Sequence, residues 1–316
     1  MSTITIERYA ENDIPEIIDL IRLSFGHDFS AERWHWLHYK NLLAPSFIIL
    51  ARDDNKIIGI YSVIKKEITI NGKKYIAGRD IDPVVHPEYR GKGIFSKLLK
   101  AGYEMCKGEI DIHFNFANEQ SEAGFLKNGW TQVRNRKLAF PGIQKLNKFL
   151  RLLVRLTPVK TPICKIIEIE HPEKFQMNHE FNSDKNICIK KNMEYIIWRY
   201  CSNPDKQYRY FKAVSGNDLA IFTGTVDHNK FTLLDILNQS SFTKKQLLKK
   251  FVLHFLTTER KKHLVTWGTI CTGASSLFPV RKKSRFFVKI NNPEIDKAIC
   301  FKSSHWELGP GESEFR

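Results

Sequence analysis

The chain has 316 residues, 42% apolar and 27% charged, which supports packed cores, excludes a disordered polymer and at roughly 100–200 residues per domain favours two domains. Its formal charge of +16 is uneven: residues 1–140 carry 20 Lys+Arg against 18 Asp+Glu, and residues 141–316 carry 30 against 16. No apolar run nears the ~20 residues of a membrane span, the start MSTITIERYAENDIPE is no secretory signal, and Cys106, Cys164, Cys188, Cys201, Cys271 and Cys300 form no C-x-x-C pair, which points to reduced cytosolic thiols and away from zinc.

In chain order, Thr3–Arg8 reads as a strand and Ile14–Phe25 as an amphipathic helix with Ile14, Ile17, Ile18, Leu20, Ile21 and Leu23 as its apolar set. Ala31–Tyr39 is an aromatic-rich helix. Phe47–Arg52 and Lys56–Lys65 are strands about the turn residues Asp53, Asp54 and Asn55. Glu67–Ile70 and Lys73–Ile76 flank Asn71-Gly72, the pair that a type I′ hairpin turn prefers. Ile81–His86 is a strand, Ser96–Cys106 a helix, Ile110–Phe116 a strand, Ser121–Asn128 a short helix and Trp130–Leu138 a closing strand. Residues 141–164 form a connector. Within it, 145–156 place Leu146, Phe149, Leu150, Leu153 and Leu156 on one side and Lys145, Lys148, Arg151 and Arg155 mostly on the other. An interdomain helix, a helix on an anionic membrane surface and a partner-binding helix all fit that pattern. Beyond it, Tyr208–Val214, Leu219–Val226 and Phe231–Leu237 form a meander, followed by a long basic helix, Lys244–Thr258, and strands at Leu264–Thr269 and Arg285–Ile290. This order echoes the first half, so a degenerate duplication is expected.

Chemistry concentrates in Val84–Leu99, VVHPEYRGKGIFSKLL. A β-branched strand ends at Pro87, a turn Arg90-Gly91-Lys92-Gly93 follows, and a helix begins. The free N–H groups and positive dipole end of such a helix bind phosphate. Gly91 and Gly93 remove side chains where phosphate would approach the backbone, and Arg90 and Lys92 add charge. The turn is neither a P-loop nor a dinucleotide fingerprint. On these residues alone, a tight turn with surface charges is an equal reading.

The stretch resembles the acetyl-CoA motif of the GNAT superfamily of N-acetyltransferases, Q/R-x-x-G-x-G/A, with Arg90 in the first position, Gly93 in the middle one and Phe95 in place of the final small residue. Val85, Pro87, Arg90, Gly91 and Gly93 meet the family's V-x-P-x-x-R-G-x-G run. Asn118-Glu119-Gln120-Ser121 and Phe125-Leu126-Lys127-Asn128-Gly129-Trp130 resemble its N-x-x-A/S-x-x-x-Y-x-K-x-G-F. The resemblance covers about residues 3–140. With WHWLHYKN early and Trp198-Arg199-Tyr200, Asn203-Pro204 and Tyr208 later, the whole looks like the subgroup with two tandem GNAT-like modules, the second degenerate and lacking the R-x-x-G-x-G turn.

The resemblance implies an α/β, mixed α+β fold: a twisted mixed sheet flanked by helices over residues 1–140, the connector at 141–164, and a degenerate GNAT-like domain over 165–316. It implies direct transfer from acetyl-CoA, a co-substrate, to a primary amine, with no metal. Gly91, Ile94, Phe95 and Ser96 with Arg90, Lys92 and Gly93 would hold the pyrophosphate. The backbone of Val84 and Val85 would lay down the pantetheine arm beside a splay between strands 81–86 and 110–116. Asn118, Ser121 and Phe125 would complete the cofactor site, although capping of the following helix also explains Asn118. Asp80 and Asp82 are the candidate bases. Period-2 alternation puts them on one face, where a shared site would raise one pKa; solvated or salt-bridged carboxylates fit equally. Arg79, on the other face, suits an anionic acceptor or an ordinary surface role. Phe125 stands where many GNAT enzymes have a tyrosine that protonates the thiolate, and it has no proton to give. Tyr39 is an alternative donor or a packed aromatic. His86 and His113 titrate near neutrality or serve as structural histidines.

The leading expectation is a cytoplasmic N-acetyltransferase acting on a small molecule or amino sugar, with peripheral membrane contact through 145–156 a further option. The alternatives are a Fem-type aminoacyl transferase, which would give the basic half an aminoacyl-tRNA, and a non-catalytic acyl-CoA- or nucleic-acid-binding protein using KKQLLKK, ERKKH and RKKSR. Solvated faces also account for those runs, and nucleic acid is not the expected partner.

Overall fold

The computed structural model describes residues 4–26, 28–133, 137–139, 155–156, 159–175, 185–228, 230–258, 263–265, 281–283 and 285–307. The amphipathic run expected at 145–156 lies outside the described residues except at its last two positions. β1 (Ile4–Arg8) leads to α1 (Ile14–Phe25), which buries Ile14, Ile17, Ile18, Leu20 and Ile21. Pro15 sits in the first turn, where a missing N–H costs nothing, and Gly26 ends the helix in the left-handed region. Leu23 departs from expectation at 58% exposed. At about 100° per residue, position 23 lies half a turn from Ile14. α2 (Ala31–His38) is capped by Ser30, whose hydroxyl accepts from the Arg33 N–H at 3.0 Å.

β2 (Phe47–Asp53), β3 (Lys56–Ile70) and β4 (Lys73–Val85) form an antiparallel meander. Asn71 and Gly72 turn β3 into β4 with φ of 49° and 81°, as a type I′ pair requires. The sequence suggests short strands broken near Lys66 and at Ala77–Asp80, yet both strands run through. The polar residues there have buried partners: Lys66 lies 5.1 Å and 5.3 Å from the ring centroids of Tyr195 and Trp198, and Asp80 accepts two hydrogen bonds. α3 (Ile94–Met105) then crosses to β5 (Ile112–Phe116), which is parallel to β4. α4 (Glu119–Lys127), β6 (Thr131–Gln132) and β7 (Lys137–Ala139) follow.

The second half supplies β8 (Lys165–Ile169), β9 (Ile187–Ile189), a π-wound segment Ile197–Cys201, β10 (Arg209–Ser215), β11 (Asp218–Asp227), β12 (Lys230–Asn238), α5 (Lys244–Thr258), β13 (His263–Val265), β14 (Arg281–Lys283), β15 (Phe286–Ile290) and β16 (Trp306–Glu307). β8, β10, β11, β12 and β13 make a five-stranded sheet in the order β13-β12-β11-β10-β8. Phe251 and Phe255 of α5 pack on its Phe211, Phe222 and Phe231. The step β12–α5–β13, with β13 parallel to β12, repeats the step β4–α3–β5. The turn into α5 carries no glycine, so the phosphate-type turn is not repeated with it.

The expected division of the chain near 140 and 165 does not divide the sheets. The nine-stranded sheet has the order β1-β2-β3-β4-β5-β15-β6, with β9 on β3 and β16 on β9. Thus β15, from the end of the chain, takes the place between β5 and β6 that the expected closing strand at 130–138 would have filled; β7 pairs with β14 instead. α3 and α4 cover one face of this sheet through Leu98, Leu99 and Phe125, and α1 and α2 cover the other. The halves also meet at two tryptophans. Trp36 Nε1 donates to the Trp198 carbonyl at 2.7 Å, Trp198 Nε1 donates to the Trp36 carbonyl at 3.0 Å, and their rings stack at 5.6 Å. Arg33 adds an ion pair to Asp205 at 2.8 Å.

Candidate acyl-CoA site

The site begins where β4 loses its regularity. Ile60 faces Val84 and Ser62 faces Ile81, so β4 holds one residue more than β3 across this interval, a bulge at Asp82-Pro83. Proline has no N–H for the ladder, which favours a bulge there. On its other side, β4 pairs with β5 only at Ala77–Ile112, Gly78–His113 and Arg79–Phe114. Both strands continue past that rung, β4 to Val85 and β5 to Phe116, without a further described pair. Between them the backbone is left open to a third extended partner.

Past Val85 the chain makes a short 3-10 turn, Pro87–Tyr89, capped by His86, and then the turn into α3. Gly91 and Gly93 have φ of 79° and 80°, the left-handed region that glycine enters at little cost. Gly93 is the N-cap of α3, and among the described residues no side chain caps that helix. The N–H groups of the first turn therefore stay available to an anion. The Arg90 Nε donates to the Val85 carbonyl at 3.2 Å, tying the turn to the end of β4. Tyr89 donates to Asp53 at 2.6 Å, and the Lys92 ammonium sits 4.6 Å from the Tyr89 ring centroid.

These elements wall a cleft of about 360 Å3. β4 contributes Pro83, Val84 and Val85. The turn and first helical residues contribute Arg90, Gly91, Gly93, Ile94, Phe95 and Ser96. α4 contributes Asn118, Gln120, Ser121 and Gly124, and the end of α1 contributes Ser24 and Phe25. Asn118 and Ser121 form a reciprocal cap: Asn118 Oδ1 accepts from the Ser121 N–H at 2.9 Å and Ser121 Oγ from the Asn118 N–H at 3.2 Å. A strand end, an uncapped helix N-terminus and a second helix thus converge on one cavity.

Residues 5–133 match the family model described as the acetyltransferase (GNAT) domain. That segment is similar to a GNAT acetyltransferase domain. Solved structures share its fold. A conserved protein of unknown function from Enterococcus faecalis V583, titled a probable N-acyltransferase, is 13% identical with a TM-score of 0.65, over 92% of this chain and 73% of that one. A GCN5-related N-acetyltransferase from Kribbella flavida is 10% identical with a TM-score of 0.64, over 95% and 74%. Saccharomyces cerevisiae N-myristoyltransferase with bound myristoyl-CoA is 11% identical with a TM-score of 0.56, over 91% and 83%. No curated protein matches the sequence.

Within the matched segment, the sequence-derived residues separate into two groups. Val84, Val85, Arg90, Gly91, Gly93, Ile94, Phe95, Ser96, Asn118 and Ser121 all line the cleft. Lys92 does not line it; it lies over Tyr89. Phe125 is wholly buried behind the wall, with its ring 5.4 Å from Phe95, 4.9 Å from Trp130 and 6.1 Å from Phe287. Motif reading did not single out Ser24, Phe25, Pro83 or Gly124 as lining residues. Ser24 and Phe25 are far from the turn in sequence, and nothing local announces them. Gly124 lay inside the second motif. A Cβ on it would sit 2.6 Å from Phe95 Cε1, so the bulky Phe95 of this chain and the absent side chain at 124 fit each other. Gly124→Ala is expected to destabilise by about 1–3 kcal/mol, although helix propensity alone would favour alanine by about 1 kcal/mol. Phe95→Ala in the same chain should relieve part of that loss. Thermal melts of both single variants and the double variant check this, and additive losses would sink the pairing.

Asp80 is not placed as expected. The pairing of β4 with β3 is regular through Asp80 and Ile81, and the bulge follows directly. Asp80 is wholly buried: the Tyr61 hydroxyl donates to its Oδ2, and the His113 Nδ1 lies 2.8 Å from its Oδ1. Burial, reinforced by the Asp80 charge, pushes the Tyr61 phenol well up, and burial likewise raises Tyr103. Lys289 of β15 lies over the Tyr103 ring, and desolvation lowers its ammonium against the pull of Asp80. Asp80 is therefore the anchor of a network beneath α3. Of the histidines, His113 belongs to this network and His86 caps a turn. Tyr39 packs on Tyr9 and His35. Arg79 is also buried rather than on the surface. The second half reaches the site through Arg285, which pairs with Glu122 at 2.8 Å and Glu119 at 2.5 Å on α4.

Proposed function

We propose that this protein transfers an acetyl group from acetyl-CoA to a primary amine of a small molecule or amino sugar, directly, within a ternary complex. The observation that carries the reading is the joining of two features in one cleft: an uncapped helix N-terminus entered through Gly91 and Gly93, and a parallel ladder that opens beside Pro83–Val85. The amides of Gly93–Ser96 suit the pyrophosphate. The free edge of β4 suits the amide groups of the pantetheine arm. This arrangement would carry the thioester toward the bulge.

There, the amine nitrogen attacks the thioester carbonyl. A β4 N–H near Val85 takes the developing oxyanion. The tetrahedral adduct collapses to the amide and releases the CoA thiolate. An ammonium acceptor must first lose a proton, and Asp82, on the bulge, is the carboxylate suited to receive it directly or through water. Phe125 cannot return a proton, so the thiolate leaves to water or to a donor brought by the acceptor. Holding both substrates together supplies much of the acceleration. Among the described residues no helix is long and apolar enough to cross a membrane. We place the reaction in the cytoplasm.

Acetyl-CoA is expected to raise the melting temperature of the full chain, and free thiol is expected to appear with at least one member of a panel of amino sugars, polyamines and amino acids. RNA binding with a steep salt dependence and no response to acetyl-CoA would overturn this reading in favour of aminoacyl-tRNA as donor.

A further inference from the structure

Arg79 sits at the rung where β4 and β5 part. It pairs with Phe114 in the last described rung of the parallel ladder. Its Nη1 donates to the carbonyl of the next residue on its own strand, Asp80, at 2.6 Å, and to Oδ1 of the next residue on the partner strand, Asn115, at 2.5 Å. The guanidinium thus bridges the two strands one step beyond the last rung. It lies 5.6 Å from the Phe114 ring centroid and 5.2 Å from that of Phe116, and the residue is 4% exposed. An arginine so buried costs desolvation, which hydrogen bonds and ring faces must offset. A cation meant to meet an anionic acceptor would need to show more of itself.

We propose that Arg79 is a positioning residue for the pantetheine arm: its side-chain bridge to Asn115 fixes how far β4 and β5 separate, and so fixes the slot that the arm enters. The inference rests on the acyl-CoA reading of the cleft. The physical argument is one of geometry. Two parallel strands that diverge without a brace can close up by one more rung or spread further. Either change alters the spacing and direction of the backbone groups that an inserted chain would meet. A rigid, planar guanidinium, hydrogen-bonded to both strands and close to two rings, keeps one spacing. Methionine matches the apolar stem of arginine and has no donors, so Arg79→Met removes the bridge while filling the space of the stem.

The test compares two ligands on the full chain by titration calorimetry. CoA has the arm; 3′-phosphoadenosine 5′-diphosphate has the nucleotide and pyrophosphate without it. The parent should bind both, and CoA more tightly. Arg79→Met should lose about tenfold or more in affinity for CoA while holding the armless ligand within about twofold. Asn115→Ala removes the bridge from the other strand and should show the same split, which keeps the test decisive if Arg79→Met fails to fold. Equal affinities for CoA in parent and variants, or equal losses for both ligands, would overturn the positioning role. A parent chain that binds neither ligand would overturn the acyl-CoA reading, and this inference with it.

Discussion

Gly93→Asp is expected to abolish CoA binding while leaving the chain folded. The two halves of that expectation come from different parts of the geometry. Gly93 has φ 80° and ψ 3°, and a Cβ built on it would meet nothing within 4 Å. The cost to folding is then the left-handed conformation alone, about 1–2 kcal/mol for an L-residue, and aspartate tolerates that region better than most. A shift of a few degrees in melting temperature follows. The cost to binding is much larger. The new carboxylate would stand at the N-terminus of α3, where its charge would occupy the amides and oppose a pyrophosphate. At an effective dielectric of about 20, two unit charges about 4 Å apart repel by about 4 kcal/mol, roughly a thousandfold in affinity. Gly93→Ala, with the same backbone strain and no charge, should fall between. Calorimetry with CoA, beside circular dichroism of each variant, reads both quantities. Undiminished affinity in a folded Gly93→Asp chain would remove the phosphate turn from the argument and leave the cleft without an assignment.

The turn was legible because everything it needs is contiguous. Val84–Ser96 holds the strand end, the two glycines and the helix start, and each has a sequence signature that does not depend on distant partners. Asn118 as a helix cap was legible for the same reason, while Ser121, read as a cofactor-site residue, proved to be the other half of that cap. What failed depended on partners far along the chain. β15 occupies its place because Val288 faces both Thr131 and Phe114, a register that local alternation in either segment does not report. The expected strand at 130–138 was a sound local reading, but a later segment with Phe286, Phe287 and Val288 filled the same position with more apolar surface. Asp80 was readable as a base or as a salt-bridged carboxylate, and its burial against Tyr61 and His113 depends on partners on β3 and β5 that strand alternation does not report. By its identity Phe125 has no proton to give, while its burial behind Phe95 depends on the fit of Phe95 against Gly124, which neither motif reports.

Acid should loosen this fold in a window set by His38. Its side chain is 1% exposed, its ring lies 4.1 Å from that of Trp34, and its Nδ1 has no hydrogen-bond partner among the described residues. Burial lowers its pKa from 6.5 to about 3, because the protonated ring would be a cation without water. Between those two values the unfolded chain binds a proton that the folded chain refuses. Stability from this group is therefore complete above about pH 6.5 and falls as pH drops toward 3, by about 1.4 kcal/mol per pH unit within the window. The consequence reaches beyond one ring. His38 is the last residue of α2, and Trp36 on the same helix is hydrogen-bonded to Trp198 of the second half in both directions. Loosening α2 would release that clasp, one of several contacts between the two halves of the chain. His38→Phe keeps a ring against Trp34 and removes the titrating group. The parent should lose about 3 kcal/mol more than this variant between pH 7 and pH 4.5, measured by urea unfolding followed through tryptophan emission. Carboxylates titrating in the same range act on both chains and cancel in the comparison. Identical pH slopes for parent and variant would show that His38 accepts its proton without leaving the fold, and the acid sensitivity would have to be sought elsewhere.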